Sequence, residues 1–291
     1  MQSIVYVPPG GRYEDPATRV EFTLVPPYII GSVSGTGAAD TTVLSSSIPG
    51  IDGVYVHGVR AESREVSFFI HVDGESRRDM YRRRFELANM LAPRDQPGML
   101  YYSNDYHTKR IAAIPVRSPN FTDRLQNYNK AEIAFLCPFP YWENLSEKSG
   151  YMAYLYDGFE FPFSFDPSIS FAALANQALL QNEGSLPTPV VITITGPATN
   201  PGVLNETTGE KLRLLKPLEA GQTLTISTKR GNKSVIISQS DGTTEDAFQY
   251  IDPESVFFSL MPGDNVLKYM SDNESESTMV VVTYRELYAG V

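Results

Sequence analysis

The chain has 291 residues, a formal net charge of −10, 42% hydrophobic residues and 20% charged residues. This composition is that of an ordinary globular protein, so it argues against a disordered chain and allows one large domain or two of average size. No apolar run reaches the roughly 18 residues of a membrane helix, and no secretory signal is visible at the start.

Strand patterns begin in the first half of the chain. Residues 31–47 are rich in Gly, Ser, Thr and Ala, and they predict a mobile loop or an arm that becomes ordered on a partner. Residues 66–72 and 131–135 alternate apolar and polar side chains. Because a strand points successive side chains to opposite faces, both segments predict half-buried strands.

A helix is predicted between these strands, from about Glu75 to Leu91. It ends there because Pro93 cannot continue a helix. Its spacing predicts a packed face made of Met80, Tyr81, Phe85, Leu87, Ala88 and Leu91. The helix also carries Arg77, Arg78, Arg82, Arg83 and Arg84. Such a cluster can bind nucleic acid, but its half of the chain has no net charge, so a solvated face or a subunit interface is favoured.

Short strand patterns recur in the second half, at residues 190–195, 211–214, 224–226 and 280–284. Glycine-containing turns separate them. A segment rich in Ala and Leu, Ser170–Leu180, predicts a second, short helix. Regular short strands without intervening helices predict antiparallel β-sandwiches, so the predicted fold class is mainly β.

The excess negative charge lies entirely in the second half. Residues 1–141 contain 15 basic and 15 acidic residues, whereas residues 142–291 contain 9 basic and 19 acidic residues. The change falls at Cys137-Pro-Phe-Pro-Tyr-Trp142, where two prolines prevent a regular strand from continuing. We therefore predict two domains, 1–141 and 142–291. An acidic second domain repels nucleic acid, so no sequence-specific nucleic-acid partner is expected.

Aromatic residues follow the predicted domain boundary. Trp142, the single tryptophan, is predicted to lie between the domains. Phe159, Phe161, Phe163 and Phe165 would share one face of a strand. Such a band favours docking against another domain or subunit. Sugar stacking is the alternative, and it would make the protein a carbohydrate-binding adhesin module for host cell-surface glycans.

Residue types that carry catalysis or bind metals do not cluster in the sequence. His57, His71 and His107 lack the paired spacing of a metal site, and Cys137 has no second cysteine as a partner. Neither a phosphate-binding loop ending in Gly-Lys-Ser/Thr nor a Gly-x-Ser-x-Gly elbow is present. We therefore predict no catalytic residues, no metal site, no cofactor and no enzyme, with Cys137 as a buried free thiol.

The order of several segments is more informative than any one of them. The first half contains Ile51-Asp-Gly53, Leu87-Ala-Asn-Met-Leu-Ala-Pro93, Met99-Leu-Tyr-Tyr102 and Phe135-Leu-Cys-Pro-Phe-Pro-Tyr-Trp142. The second half contains Thr195-Gly-Pro-Ala-Thr-Asn-Pro201, Asn205-Glu-Thr-Thr-Gly-Glu210 and Ser259-Leu-Met-Pro-Gly-Asp-Asn265. Over nearly the whole chain, this order resembles the siphovirus tail components called distal tail proteins.

The resemblance implies an N-terminal, β-sandwich-like ring domain with one helix, followed by a C-terminal galectin-like, jelly-roll β-sandwich. It also implies a homohexameric ring in the tip of the virion tail, assembled in the host cytoplasm. The implied partners are other copies of the chain, the tail tube protein, the tail-associated tip protein and, as a further candidate, a receptor-binding protein. Sugar binding is disfavoured, because Asn200-Pro201 lacks the preceding histidine of the galectin sugar motif.

Overall fold

The computed structural model describes residues 2–117, 119–121, 128–154, 176–273 and 278–291. These residues form two compact units. The N-terminal unit contains Met1–Leu145 together with Tyr288–Val291, and the C-terminal unit contains Ser146–Leu287. Residues 142–145 and 288–291, which the charge pattern assigned to the second domain, therefore belong to the N-terminal unit.

In the described residues, the N-terminal unit contains ten strands and one α-helix, and the two-residue strand Leu287–Tyr288 pairs with the last of the ten. The strands are β1 (Ser3–Val7), β2 (Val20–Phe22), β3 (Tyr28–Ser34), β4 (Thr41–Ser46), β5 (Tyr55–Ala61), β6 (Arg64–Asp73), β7 (Gly98–Ser103), β8 (Thr108–Arg117), β9 (Tyr128–Cys137) and β10 (Trp142–Asn144). The main sheet has the order β2-β1-β7-β8-β9-β6-β3, with β10 paired to β8, and β4 pairs only with β5 in the described part of the chain.

Alternation along the central strands determines which side chains enter the core of this unit. In β6, buried and more exposed residues alternate from Arg64 to Asp73. The antiparallel pairing of β6 with β9 sets Val66 opposite Phe135 and Phe68 opposite Ile133. All four of these side chains are at most 1% exposed, and they belong to one apolar cluster. The strands predicted over 66–72 and 131–135 are therefore confirmed.

The helix α1 (Arg77–Met90) packs on the core through Met80 and Leu87. Ser76 caps its start by accepting a hydrogen bond from the Asp79 amide at 3.2 Å, which satisfies one of the free N–H groups of the first turn. Phe85, expected on the packed face, is 69% exposed. Among the described residues, no helix combines the length and apolar character needed to cross a membrane.

Residues 31–47 are not the loop that their small polar residues suggested. β3 continues to Ser34, and β4 then pairs with β5 in antiparallel register from Thr41↔Ala61 to Ser46↔Tyr55. The expectation of a loop was wrong because cross-strand pairing with residues 55–61 supplies the backbone hydrogen bonds that the local sequence does not indicate.

The C-terminal unit is a sandwich of two antiparallel sheets. Its strands are β11 (Lys148–Tyr154), β12 (Gln177–Asn182), β13 (Thr188–Thr195), β14 (Gly202–Asn205), β15 (Glu210–Arg213), β16 (Thr223–Ser227), β17 (Ser234–Ser238), β18 (Thr244–Asp246), β19 (Ser259–Leu260), β20 (Gly263–Met270) and β21 (Thr278–Tyr284). One sheet has the order β11-β21-β13-β16-β17-β18, with β19 on β13, and the other has the order β12-β20-β14-β15. Together the two units confirm the mainly-β fold class.

The predicted helix Ser170–Leu180 was wrong where the structure describes it. Gln177–Asn182 forms β12, which pairs with β20, and residues before 176 lie outside the described range. Leu180 is 3% exposed whereas Leu179 is 66% exposed, which is the period of two of a strand. Sheet pairing has overridden the helix propensity of Ala and Leu.

The centre of the C-terminal sandwich provides a test of this packing. Ile192 lies between Ile226 and Val282 in the sheet and is 0% exposed, whereas Ile236 on the outer face of the same sheet is 37% exposed. Ile192→Ala should lower the free energy of unfolding by about 2–5 kcal/mol, because it leaves a cavity. Ile236→Ala should lower it by about 1 kcal/mol or less. Equal losses in denaturant unfolding would contradict the assigned faces.

Candidate assembly surface

β4, β5 and the turn between them form a segment that we call the arm, residues 41–61. Its large apolar side chains are all between 51% and 66% exposed: Val43, Leu44, Ile48, Ile51, Val54, Tyr55, Val56 and Val59. Asp52 and Arg60 are its only residues with a formal charge at neutral pH. An isolated hairpin is marginally stable in water, and a contiguous exposed apolar surface marks an interaction site.

The arm has internal bonds but no apolar core of its own. Ser46 Oγ and His57 Nε2 lie 2.7 Å apart across the two strands, and the His57 ring contacts the Tyr55 ring edge-on at 5.1 Å. A bulge lies between Leu44 and Ser45. Within the described ranges, no other strand pairs with either strand of the arm, so both of its edges offer free backbone groups.

The base of the arm is held by the buried side chain of Arg64, which is 4% exposed. Its guanidinium donates to Pro140 O and Gly35 O, each at 2.9 Å, to Gly37 O, and to Ala289 O at 2.5 Å. Burial lowers the pKa of Arg64 from its usual value. Because a buried cation is tolerated only when it is fully hydrogen-bonded, these four carbonyls fix where the arm leaves the unit.

Three of the helix arginines make ion pairs or hydrogen bonds with acidic or amide side chains inside the N-terminal unit. Arg82 lies 2.6 Å from Asp79 and 2.8 Å from Glu86, and Arg83 lies 2.7 Å from Asp79. The hydrogen bond from Arg82 lowers the pKa of Asp79. Arg84 donates to Asn129 at 3.2 Å. These contacts occupy the three side chains within their own unit.

Arg77 and Arg78, in the first turn of α1, are the arginines most available to a partner. Arg77 lies over the ring of Tyr81, 5.8 Å from its centroid, and Arg78 is exposed without an ion pair among the described residues. Tyr81 and Phe85 are 45% and 69% exposed on the same side of the helix. The outer face of α1 thus combines arginines with aromatic rings, which is the composition of binding hot spots.

The structure places Trp142 in the core of the N-terminal unit, 0% exposed. Its ring lies 6.1 Å from the Tyr102 ring and 5.8 Å from the Arg64 guanidinium. The four aromatics Phe159, Phe161, Phe163 and Phe165 lie outside the described residues. The interdomain or docking role of these five residues stays a prediction, as does the sugar-binding alternative.

Metal-binding groups do not converge in the described part of the chain. No three His, Cys, Asp or Glu residues there are close enough to hold a metal ion. Cys137 is 0% exposed, and burial raises the pKa of its thiol to about 12, although the nearby Arg64 acts in the opposite direction. A thiol of this kind is a core side chain and not a nucleophile.

Protein-family comparisons match both parts of the chain. The model described as "Phage tail protein RIFT-related domain" matches residues 17–137, and the model described as "Siphovirus-type tail component, C-terminal domain" matches residues 183–288. The chain belongs to the siphovirus distal tail protein family. This confirms the resemblance found in the sequence. A search of curated proteins finds no match.

Two solved phage structures share the fold of this chain over almost its whole length. The Dit protein of phage SPP1, described as a paradigm of the hub adsorption apparatus in phages that infect Gram-positive hosts, has 15% sequence identity and a TM-score of 0.68, with 99% of each chain covered. A chain of the phage P2 baseplate has 11% identity and a TM-score of 0.56, with 100% of this chain and 99% of that chain covered.

Membership of this family identifies the general role of the protein. It is a structural component of the phage tail, and it is not an enzyme.

The environment of Cys137 predicts an inert thiol in the folded protein. With a pKa of about 12, the thiol holds very little thiolate near neutral pH. Alkylation by iodoacetamide should therefore be on the order of a hundredfold slower in the native protein than in urea. The control is Ser45→Cys in a Cys137→Ala background, whose exposed thiol should react equally fast in both conditions. Rapid native labelling of Cys137 would contradict its burial.

Proposed function

We propose that this distal tail protein is the hub of the tail tip. It forms a homohexameric ring that joins the tail tube protein to the tail-associated tip protein and the host-attachment apparatus. Assembly takes place in the host cytoplasm, and a receptor-binding protein is a further partner. The observation that carries the proposal is the arm, whose eight exposed apolar side chains have no core within their own unit.

The length of the arm suits a contact between neighbouring copies in a ring. A cyclic ring uses heterologous contacts, in which one surface of a copy fits a different surface of the next copy. The arm is a two-stranded projection, and the six residues of β4 alone extend about 20 Å. A projection of this length can reach a neighbouring copy and bury there the apolar surface that it exposes in the isolated chain.

The outer face of α1 is the second surface that we assign to assembly. We propose that Arg77, Arg78, Arg82, Arg83 and Arg84 lie at or near the subunit interface. Arg77 and Arg78 would pair with carboxylates of the neighbour, because Arg82 and Arg83 already pair with Asp79. The exposed rings of Tyr81 and Phe85 would supply the apolar part of the same contact.

A charge at the tip of the arm tests the proposal. Ile51 lies in the turn outside both strands and is 65% exposed, so Ile51→Asp should leave the hairpin paired. We expect the wild-type chain to form rings and Ile51→Asp to associate at least about tenfold more weakly, as measured by light scattering and negative-stain microscopy.

The matched control for the arm variant is Leu179→Asp, since Leu179 is 66% exposed on β12 of the C-terminal unit. It should leave the ring population unchanged. Identical ring populations for Ile51→Asp and the wild type would contradict the role of the arm. A wild-type chain that stays monomeric at high concentration would contradict the ring itself.

The helix surface has its own test. Arg78→Glu should weaken ring formation by roughly fivefold or more, because it replaces an attraction across the interface by repulsion. The unfolding midpoint should stay unchanged, since Arg78 is exposed and without an ion pair in the described residues. Arg230→Glu, at an exposed arginine of the C-terminal unit, is the control for the change in charge. If both variants weaken assembly equally, the effect is not specific to α1.

A further inference from the structure

The last four residues of the chain, Tyr288–Val291, cross the base of the arm, and we call them the clasp. The Val291 amide donates to Thr36 O at 2.9 Å. Gly290 lies against Gly37 so closely that an added Cβ would be 2.9 Å from Gly37 C and 3.0 Å from Gly37 O. The clasp therefore contacts Thr36 and Gly37, which lie between the end of β3 and the start of the arm.

Arg64 connects the clasp to the same segment. Its guanidinium donates to Gly35 O and Gly37 O on the arm side and to Ala289 O on the clasp side. Gly35 has a φ of +84°, and a Cβ there would lie 2.0 Å from Glu65 O. The chain leaves β3 through a turn that only glycine fits, and one side chain holds that turn against the clasp.

The clasp is itself fixed to the N-terminal unit. Tyr288 and Val291 both pack against the core of this unit, and Lys109 Nζ lies 3.7 Å from the centroid of the Tyr288 ring. The cation over the aromatic face and the two apolar contacts stabilise the position of the clasp on this unit. The clasp contacts Thr36 and Gly37, and Arg64 binds the carbonyls of Gly35 and Gly37.

We propose that the clasp sets the orientation of the arm and thereby controls when the chain can enter a ring. The clasp comes after the whole C-terminal unit in the sequence, whereas the arm is among the first sixty or so residues. During synthesis the arm is consequently fixed only after the C-terminal unit has been made. A chain without the clasp has a pivoting arm and does not assemble. This inference rests on the proposed role of the arm in assembly.

The experiment compares two glycine variants of one contact. Gly290→Ala adds a methyl group that collides with the Gly37 backbone, whereas Gly37→Ala adds a methyl group that meets no atom within 4 Å. Hydrogen exchange is measured in the full chain over residues 34–40 and 60–64. We expect exchange about tenfold or more faster in Gly290→Ala and wild-type exchange in Gly37→Ala. Trypsin cleavage at Arg60, the single Lys or Arg of the arm, should rise in parallel.

A second variant separates release of the arm from general unfolding. A chain ending at Gly290 keeps the Ala289 carbonyl that Arg64 binds but loses Val291, whose amide donates to Thr36 O. Faster exchange confined to the arm and its base in both variants, with β6 and β9 unchanged, supports the clasp. Unchanged exchange, or faster exchange throughout the N-terminal unit, overturns it. These readouts need no ring, so a wild-type chain that forms no rings would overturn the proposed function without deciding the role of the clasp.

Discussion

The buried guanidinium of Arg64 is the constraint on which the architecture of the N-terminal unit depends. A cation that is 4% exposed must find hydrogen-bond acceptors inside the protein, since losing its hydration costs several kcal/mol. The chain supplies backbone carbonyls from three distant stretches: Gly35 and Gly37, Pro140, and Ala289. Because one guanidinium binds all of these carbonyls, the residues that follow β3, the residues that follow β9 and Ala289 must lie close together. The arm starts from this point.

The apolar side chains of the protein fall into two classes, which serve different purposes. The cores of the two units bury their alternating strands almost completely, so each unit has the means to be stable by itself. The arm has the opposite character, because its apolar side chains lie open to water. A structural tail protein needs a rigid body, and it also needs an apolar surface that becomes buried when another chain binds. The ring proposal assigns that burial to a neighbouring copy.

The sequence predicted those features of the fold that depend on local periodicity. The alternation around Phe68 and Ile133, the helix before Pro93 and the mainly-β class could all be read directly, and the order of segments indicated the family. Long-range pairing could not be read. The partners of Arg64 lie up to 225 positions away, and β4 finds its partner only across the turn of the arm. Val43, Leu44 and Val54 were visible as apolar residues, but no local signal shows that they remain exposed. β12 looked helical because Ala and Leu favour helices until a sheet pairs with them.

The central claim is that the arm contacts a neighbouring copy in an assembled ring. Photocrosslinking from the arm tip tests it most directly, with p-benzoylphenylalanine in place of Ile51 and mass spectrometry of the purified, assembled full chain. The account predicts crosslinks between two copies, joined from the arm tip to one defined surface of the neighbour. Crosslinks confined to single chains, or no crosslinks in rings seen by microscopy, would contradict it.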